Sequence, residues 1–195
     1  EYQTSRDVRP APATYHIQAD IPENHYQISP SAESSDNGLY NQKMPEHPEQ
    51  YKSHLIEQAY LNVRPVVRVR REDENYYMTY KGGGMMAREE YNLPLDADSY
   101  AHLLQKADGN IITKRRYLIP FHAYTIELDV FEGLFEGIVV AEVEFPSIEE
   151  AESFAAPEWF GEDVTYDGRY HNSAMSRMKV EEIVEIQSLF ASEGK

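Results

Sequence analysis

Residues 125–130 read Thr-Ile-Glu-Leu-Asp-Val, and residues 140–145 read Val-Ala-Glu-Val-Glu-Phe. Polar and apolar side chains alternate in both runs. Successive side chains of a β-strand point to opposite faces, so Glu127 and Asp129 share one face and leave the other face apolar. The second run repeats this pattern with two glutamates. The two runs therefore predict half-buried strands, each with a pair of carboxylates on its polar side.

Three further strand-like runs also place polar side chains at alternate positions, most of them cations in place of carboxylates. They lie at 66–70 (Val-Val-Arg-Val-Arg), 76–81 (Tyr-Tyr-Met-Thr-Tyr-Lys) and 114–117 (Lys-Arg-Arg-Tyr). The pairs that share a face are Arg68 with Arg70, Thr79 with Lys81, Lys114 with Arg116, and Glu142 with Glu144. Strands with cations beside strands with paired carboxylates are typical of one site that binds a polyanion and a divalent metal.

Composition sets the class of protein. A chain of 195 residues, 41% of them hydrophobic, is long enough for one domain with a core and a tail. The net charge of -16 argues against a surface that binds nucleic acid or an anionic membrane, but not against a small anionic ligand. Without cysteine there is neither a disulfide scaffold nor a thiolate metal site. We see no membrane span or signal peptide, so the expected location is cytoplasmic.

The chain divides into two parts by composition. Residues 1–50 are rich in Pro, Ser, Asn, Gln and Tyr, which predicts an extended or disordered segment, with one short strand fitting residues 14–21. Residues 51–195 predict a single domain. Its strands are expected at 55–61, 66–72, 75–81, 87–93, 112–121, 124–131 and 138–145, and its helices at 96–106, 147–154 and 180–190, with Asp96 and Ser147 as N-caps.

Many strands with short connections predict an α+β fold, an antiparallel β-barrel with flanking helices. The inward faces of these strands are charged. Burying so many unpaired charges in a dry core would be too costly, so the interior is expected to be a wet channel or a ligand site.

Residues 53–177 resemble the CYTH family, the triphosphate tunnel metalloenzymes. The matching segments are IEQAYL (56–61), VVRVRRED (66–73), YYMTYKGGG (76–84), REEYNLPL (88–95), KADGNIITKRRYLIP (106–120), TIELDVFEG (125–133), VVAEVEFPS (139–147), WFGEDVT (159–165) and YHNSAMSR (170–177). The resemblance implies an eight-stranded antiparallel tunnel that binds inorganic or organic triphosphates with Mg²⁺ or Mn²⁺. It also implies one of three activities: triphosphate hydrolysis, thiamine triphosphate hydrolysis or adenylate cyclisation.

One part of the family pattern is missing. The family's first strand reads Glu-x-Glu-x-Lys, and it is expected about twenty residues before Gln58. Residues 36–43 there read Asp-Asn-Gly-Leu-Tyr-Asn-Gln-Lys, and residues 1–50 contain no such motif. A substitute strand at 14–21 would present His16, Gln18 and Asp20. A variant start, a fusion and a degenerate family member would each explain the difference.

The resemblance and the strand pattern together assign roles to single residues. The predicted substrate-binding residues are Arg68, Arg70, Lys81, Arg88, Lys114 and Arg116. The predicted catalytic residues are Glu127, Asp129 and Lys81, and the predicted metal ligands are Glu142, Glu144 and Asp129. Guanidinium groups offer paired donors that suit phosphate, and carboxylates suit Mg²⁺. The alternative is that these are solvated strand faces, or acids that only pair with the neighbouring arginines.

The predicted function is metal-dependent hydrolysis of triphosphates, with inorganic triphosphate as the first expected substrate and a nucleoside triphosphate as the other. Adenylate cyclase and thiamine triphosphatase activities are less expected. A second hypothesis is a module that binds triphosphate, polyphosphate or nucleotide with little catalysis, because the first-strand motif is missing. In a third, residues 1–50 swap or add a strand from a partner chain. The expected state is a monomer or homodimer.

Overall fold

A computed structural model describes residues 25–29, 47–82, 90–165 and 167–191. In that part of the chain nine strands form one sheet with antiparallel pairing. The strands are β1 (His25–Ser29), β2 (Lys52–Val63), β3 (Val66–Glu72), β4 (Asn75–Lys81), β5 (Glu90–Leu95), β6 (Ile112–Phe121), β7 (Tyr124–Glu132), β8 (Val139–Glu144) and β9 (Glu162–Asp163). Their order across the sheet is β5-β4-β3-β2-β6-β7-β8-β1-β9.

The predicted antiparallel sheet is confirmed, whereas closure into an eight-stranded barrel stays a prediction. Strands β5 and β9 lie at the two ends of the sheet that the described residues form. β1 pairs with β8 and comes from within residues 1–50. The substitute strand predicted at 14–21 lies outside the described residues, as do residues 83–89 before β5.

Four helices accompany the sheet. They are α1 (Ala97–Leu104), α2 (Ile148–Ser153), α3 (Asn172–Met175) and α4 (Val180–Ala191), with 3-10 turns at Pro48–Gln50, Gly133–Phe135 and Gly168–Tyr170. Both predicted N-caps are confirmed. The Asp96 carboxylate accepts a hydrogen bond from the Ser99 N–H at 2.7 Å, and the Ser147 hydroxyl accepts one from the Glu150 N–H at 3.2 Å. No helix within the described ranges is long and apolar enough to cross a membrane.

The apolar side of the strand alternation is covered by helices and loops. On one half of the sheet, the buried residues Ala59 and Val69 pack with Tyr100 of α1. On the other half, the buried cluster of β6, β7 and β8 packs against aromatic side chains that follow β8 in the chain. That cluster comprises Ile119, Ile126, Leu128, Ala141 and Val143, with Phe145, Phe154, Trp159 and Phe160 against it. This packing leaves the other side of the strands to the polar residues.

We call the side that carries Gln58, Arg70, Lys114, Asp129 and Glu142 the polar face. It becomes apolar towards one end. On four strands, the residue two positions away from a polar one is apolar and buried. These residues are Tyr60 (two from Gln58), Ile112 (two from Lys114), Phe131 (two from Asp129) and Val140 (two from Glu142). These four residues form a cluster with Met175 of α3 and with Ile183 and Ile186 of α4. We call it the end cluster.

The loop at 108–110 fixes α3 against the sheet. The Asn110 N–H donates to the Ser176 carbonyl at 2.6 Å, and its side-chain amide donates to the carbonyls of Met175 and Met178 at 3.1 and 2.8 Å. Gly109 has φ +87°, and a Cβ added there would lie 2.1 Å from the Ser176 carbonyl oxygen. The loop therefore requires glycine, both for its backbone angle and for its close approach.

Candidate functional site

The register of the sheet brings the predicted cations together around β2. Gln58 of β2 pairs with Arg70 of β3 on one side and with Ile112 of β6 on the other. Lys114 pairs with Ile56, two residues before Gln58. Because paired residues share a face, Arg70 and Lys114 flank β2 on the polar face. Arg116 follows Lys114 on the same face of β6 and pairs with Asp129 of β7.

Neutral groups hold the Arg70 guanidinium. Its Nε and Nη2 both donate to the Gln58 Oε1, at 3.0 and 2.7 Å. Its Nη1 donates to the Tyr77 hydroxyl oxygen at 3.3 Å, and that hydroxyl in turn donates to the Glu72 Oε2 at 2.8 Å. The guanidinium is thus fixed in place while its charge is not neutralised by a direct carboxylate contact.

Arg68 lies on the same face two residues before Arg70. Its Nε is buried and has no hydrogen-bond partner within the described residues, and the same holds for the Gln58 Nε2. Burial, together with the nearby Arg70 charge, lowers the pKa of Arg68. No carboxylate of the described ranges lies within 4.0 Å of the guanidinium of Arg68 or Arg70. This part of the polar face therefore has hydrogen-bond donors and positive charge that an anionic ligand could satisfy.

A second group of cations is neutralised by Asp129. The fully buried Lys114 donates to the Asp129 Oδ2. The Arg116 guanidinium donates two hydrogen bonds to the same carboxylate, from Nε to Oδ1 and from Nη2 to Oδ2, both at 2.7 Å. Burial would raise the pKa of Asp129, but the two cations outweigh burial and lower this pKa to about 2. Burial and Arg116 lower the pKa of Lys114 to about 8, against the opposing effect of Asp129.

Carboxylates gather on the far side of Arg116. Its Nη1 donates to Glu127 and its Nη2 to the Glu142 Oε2 at 3.4 Å. Glu127 and Glu142 are directly paired across β7 and β8. Burial raises the pKa of Glu127 despite the Arg116 charge, and Glu142, Asp129 and Glu144 add to that rise. Like charges this close would be stabilised by a further cation.

These carboxylates also border a cavity. Glu127, Glu144 and Glu150 line an opening of about 390 Å³ together with Tyr124 and Thr125. Within the described ranges no group of three or more His, Asp or Glu side chains is arranged to hold a metal ion. Mg²⁺, however, is commonly held by one or two carboxylates plus substrate phosphates, and not by an all-protein cage. The adjacent carboxylates Glu127 and Glu142, with Glu144 beside them, fit that mode of binding.

The remaining predicted residues of the polar face lie on β4 or outside the described residues. Lys81, at the end of β4, forms an ion pair with Glu90 at 3.0 Å. Thr79, the partner of Arg68 across β3 and β4, is buried and donates to the Asn92 Oδ1 at 2.7 Å. Arg88 lies outside the described residues. The structure thus brings together Arg68, Arg70, Lys114, Arg116, Glu127, Asp129 and Glu142, while Glu144 is more exposed at the edge of the group.

Sequence reasoning missed the partners of Arg70. The strand pattern assigned no role in the site to Gln58 or to Tyr77. A signal for Gln58 was present: it is a polar residue in register with Ile56 and Tyr60, both apolar, and it is fully buried. Its contact with Arg70 depends on the register between β2 and β3, which is set by the eleven intervening residues and a bulge.

The strand beside β8 is also unexpected. In β1, His25 pairs with Glu144 and Gln27 pairs with Glu142. The sequence of this strand is His-Tyr-Gln-Ile-Ser, so the neighbour of the two glutamates on β8 contains neither a carboxylate nor a lysine.

Comparison with known proteins agrees with this geometry. A family model described as CYTH domain matches residues 48–179. An inorganic triphosphatase of Nitrosomonas europaea is 38% identical over 112 residues, 56% of this chain and 74% of that protein. An inorganic triphosphatase of Acetivibrio thermocellus is 38% identical over 109 residues, 55% of this chain and 69% of that protein. The crystal structure of an inorganic triphosphatase covers 80% of this chain and 94% of its own, with a TM-score of 0.58 and 26% identity. The residues matched by the family model include every strand from β2 to β9 and the whole polar face.

Proposed function

The chain belongs to the CYTH domain family, and we propose that it hydrolyses triphosphates, with inorganic triphosphate as substrate and Mg²⁺ or Mn²⁺ as cofactor. The observation that carries this proposal is the pair of guanidinium groups of Arg68 and Arg70, which contact no carboxylate of the described residues, beside the buried unpaired donors Gln58 Nε2 and Arg68 Nε. The two relatives described above, both inorganic triphosphatases, support the choice of substrate.

Arg68 and Arg70 bind phosphate oxygens in this proposal. Guanidinium donors match two oxygens of one phosphate, and burial strengthens the attraction. Lys114 and Arg116 add two cations on β6, and Lys81 adds one on β4. A linear polyanion would thus meet cations along its length.

Glu142 and Glu144 would hold the divalent cation, which would supply neutralisation of phosphate charge and orientation of the attacking water when bound. Both oxygens of Asp129 already accept from Lys114 and Arg116, so its proposed role is to position these two cations. Glu127, with its raised pKa, is placed to accept the proton of the water. The water oxygen bonds to the terminal phosphorus in line, and the bridging P–O bond breaks to release diphosphate and phosphate.

Phosphate release from inorganic triphosphate, measured on the full chain with Mg²⁺, Mn²⁺ or EDTA, tests the proposal. We expect metal-dependent turnover that Arg70→Ala reduces by roughly tenfold or more, because a charged contact to phosphate is lost. Arg71→Ala is the matched control, since Arg71 is the next residue on β3 and donates instead to the Asp73 carbonyl at 2.8 Å. Equal losses in the two variants, or turnover that persists in EDTA, would contradict the proposal.

One observation favours a second candidate, a module that binds triphosphate with little turnover. The strand beside Glu142 and Glu144 reads His-Tyr-Gln-Ile-Ser where family members are expected to supply glutamates and a lysine. Calorimetry that shows tight triphosphate binding, with no phosphate release under any metal, would select this candidate. Thiamine triphosphate and ATP belong in the same assays, to separate the other activities of the family.

A further inference from the structure

We infer that Gln58 and Tyr77 are positioning residues that hold Arg70 for its phosphate ligand without neutralising it, and that Gln58 also donates to that ligand. This inference rests on the proposed function, which it deepens by naming residues that set the affinity for the triphosphate.

The first argument is the choice of acceptors around Arg70. A partly buried guanidinium can be stabilised by a carboxylate, as Asp129 stabilises Arg116 at 2.7 Å. A carboxylate at position 58 would do the same for Arg70, but would also cancel the charge that attracts an anion. The Gln58 carbonyl oxygen fixes the guanidinium through two hydrogen bonds, at 3.0 and 2.7 Å, and leaves its full charge available.

The second argument is the orientation of the Gln58 amide. Arginine only donates, so the amide must turn its oxygen towards Arg70, which points its NH₂ group elsewhere. That nitrogen is buried with no acceptor in the described part of the chain. A buried donor without a partner destabilises the fold, and a phosphate oxygen would satisfy it together with the buried Arg68 Nε.

The third argument concerns the direction of the Tyr77 hydroxyl. Its single proton goes to the Glu72 Oε2 at 2.8 Å, so its oxygen is free to accept from the Arg70 Nη1. Burial raises the pKa of Tyr77, which keeps the phenol neutral. Glu72 therefore acts on Arg70 only through a neutral hydroxyl, which again fixes the cation without pairing it.

Triphosphate binding in EDTA, measured by calorimetry, tests these roles without depending on turnover. Gln58→Glu keeps the size of the side chain and adds a charge next to Arg70. Gln58→Met keeps the length and removes both the acceptor and the donor. We expect affinity to fall by roughly tenfold or more in each, and by a smaller factor in Tyr77→Phe. Gln187→Met on α4 is the control, because its amide donates only to the carbonyls of Leu134 and Glu136.

The outcomes separate three cases. Weaker binding in both Gln58 variants, with unfolding temperatures near that of the parent chain, supports the inference. Parent-like affinity in Gln58→Glu would overturn it, because a neutralised Arg70 must bind an anion less well. If Gln58→Met unfolds, the affinities of Gln58→Glu and Tyr77→Phe for triphosphate still test the inference. If the parent chain neither binds nor hydrolyses triphosphate, the proposed function itself fails.

Discussion

At the scale of single residues, the cations of the polar face differ in their partners. Lys114 and Arg116 share the carboxylate of Asp129, whereas Arg68 and Arg70 contact no carboxylate within the described ranges. A neutralised cation is stable without ligand and shapes the site. An unneutralised one gains most when an anion arrives. The neutralised cations therefore mainly stabilise the site before a ligand binds, and the unneutralised ones supply most of the attraction for an anion.

Lys114 should make triphosphate binding depend on pH. Its pKa is lowered to about 8, so it is charged below that pH and loses its proton as the pH rises further. We expect the affinity for triphosphate, measured by calorimetry in EDTA, to fall between about pH 7 and pH 9. Lys114→Arg should flatten this profile, because arginine stays charged.

Protonation of the triphosphate itself is common to both proteins and cancels in the comparison. Profiles of the same shape for the parent chain and Lys114→Arg, with both proteins folded, would show that Lys114 does not supply the titrating charge.

At the scale of elements, the end cluster depends on how one loop meets one helix. Asp108 donates from its backbone to the Tyr60 carbonyl at 2.9 Å, and Asn110 binds three carbonyls around the end of α3. The loop thereby joins β2 to the helical segment that covers the polar face at its apolar end. Gly109, between them, touches the Ser176 carbonyl too closely for any side chain.

Gly109→Ala should therefore destabilise the fold by about 2 to 4 kcal/mol, from the positive φ and the clash together. Gly133→Ala is the matched control: it also has a positive φ, +63°, but an added Cβ would meet nothing within 4 Å. It should cost about 1 kcal/mol from the backbone angle alone. Urea unfolding of both variants measures the difference, and equal losses would show that the contact with Ser176 is unimportant.

The sequence predicted the bounds of some strands but not the contacts between strands. β3, β4 and β6 have the predicted bounds, because each is a run rich in β-branched and aromatic residues that ends at a turn. β1 was not predicted at residues 25–29, although His-Tyr-Gln-Ile-Ser alternates polar and apolar residues, because the composition of residues 1–50 indicated an extended or disordered segment. The cations of the site were predicted from single strands. Their partners were not, because the Arg70–Gln58 and Arg116–Asp129 contacts require the register between strands.

At the scale of the whole molecule, a chain of net charge -16 places the buried Lys114 and three partly buried arginines on one face of its sheet. Asp129 is the buried anion that makes part of this arrangement stable. Its carboxylate is 3% exposed and contacts two cations, so removing its charge would leave Lys114 and Arg116 buried with less compensation. Such an imbalance is strongly destabilising.

The pH dependence of stability follows from the lowered pKa of Asp129. A carboxyl group with a folded pKa of about 2 and an unfolded pKa of about 3.9 stabilises the fold above about pH 4. That stabilisation, on the order of 2 kcal/mol, is lost as the pH falls from about 4 to about 2. Asp129→Asn should destabilise the protein at neutral pH by about 3 to 5 kcal/mol and weaken this acid dependence. Asp98→Asn, at an exposed site on α1, is the control, and unfolding curves at pH 7 and pH 3 that match for the two variants would contradict the assignment.

The end cluster makes the two ends of the polar face different, because one end is apolar and covered by helices. An anion chain lying along β6 past Lys114 would reach the buried Ile112 within about 7 Å, where α3 and α4 cover the apolar end. Under the proposed function, a longer polyphosphate lying along β6 would meet this apolar cluster at one end of the polar face. Removal of terminal units, with the interior linkages left intact, would be the expected consequence.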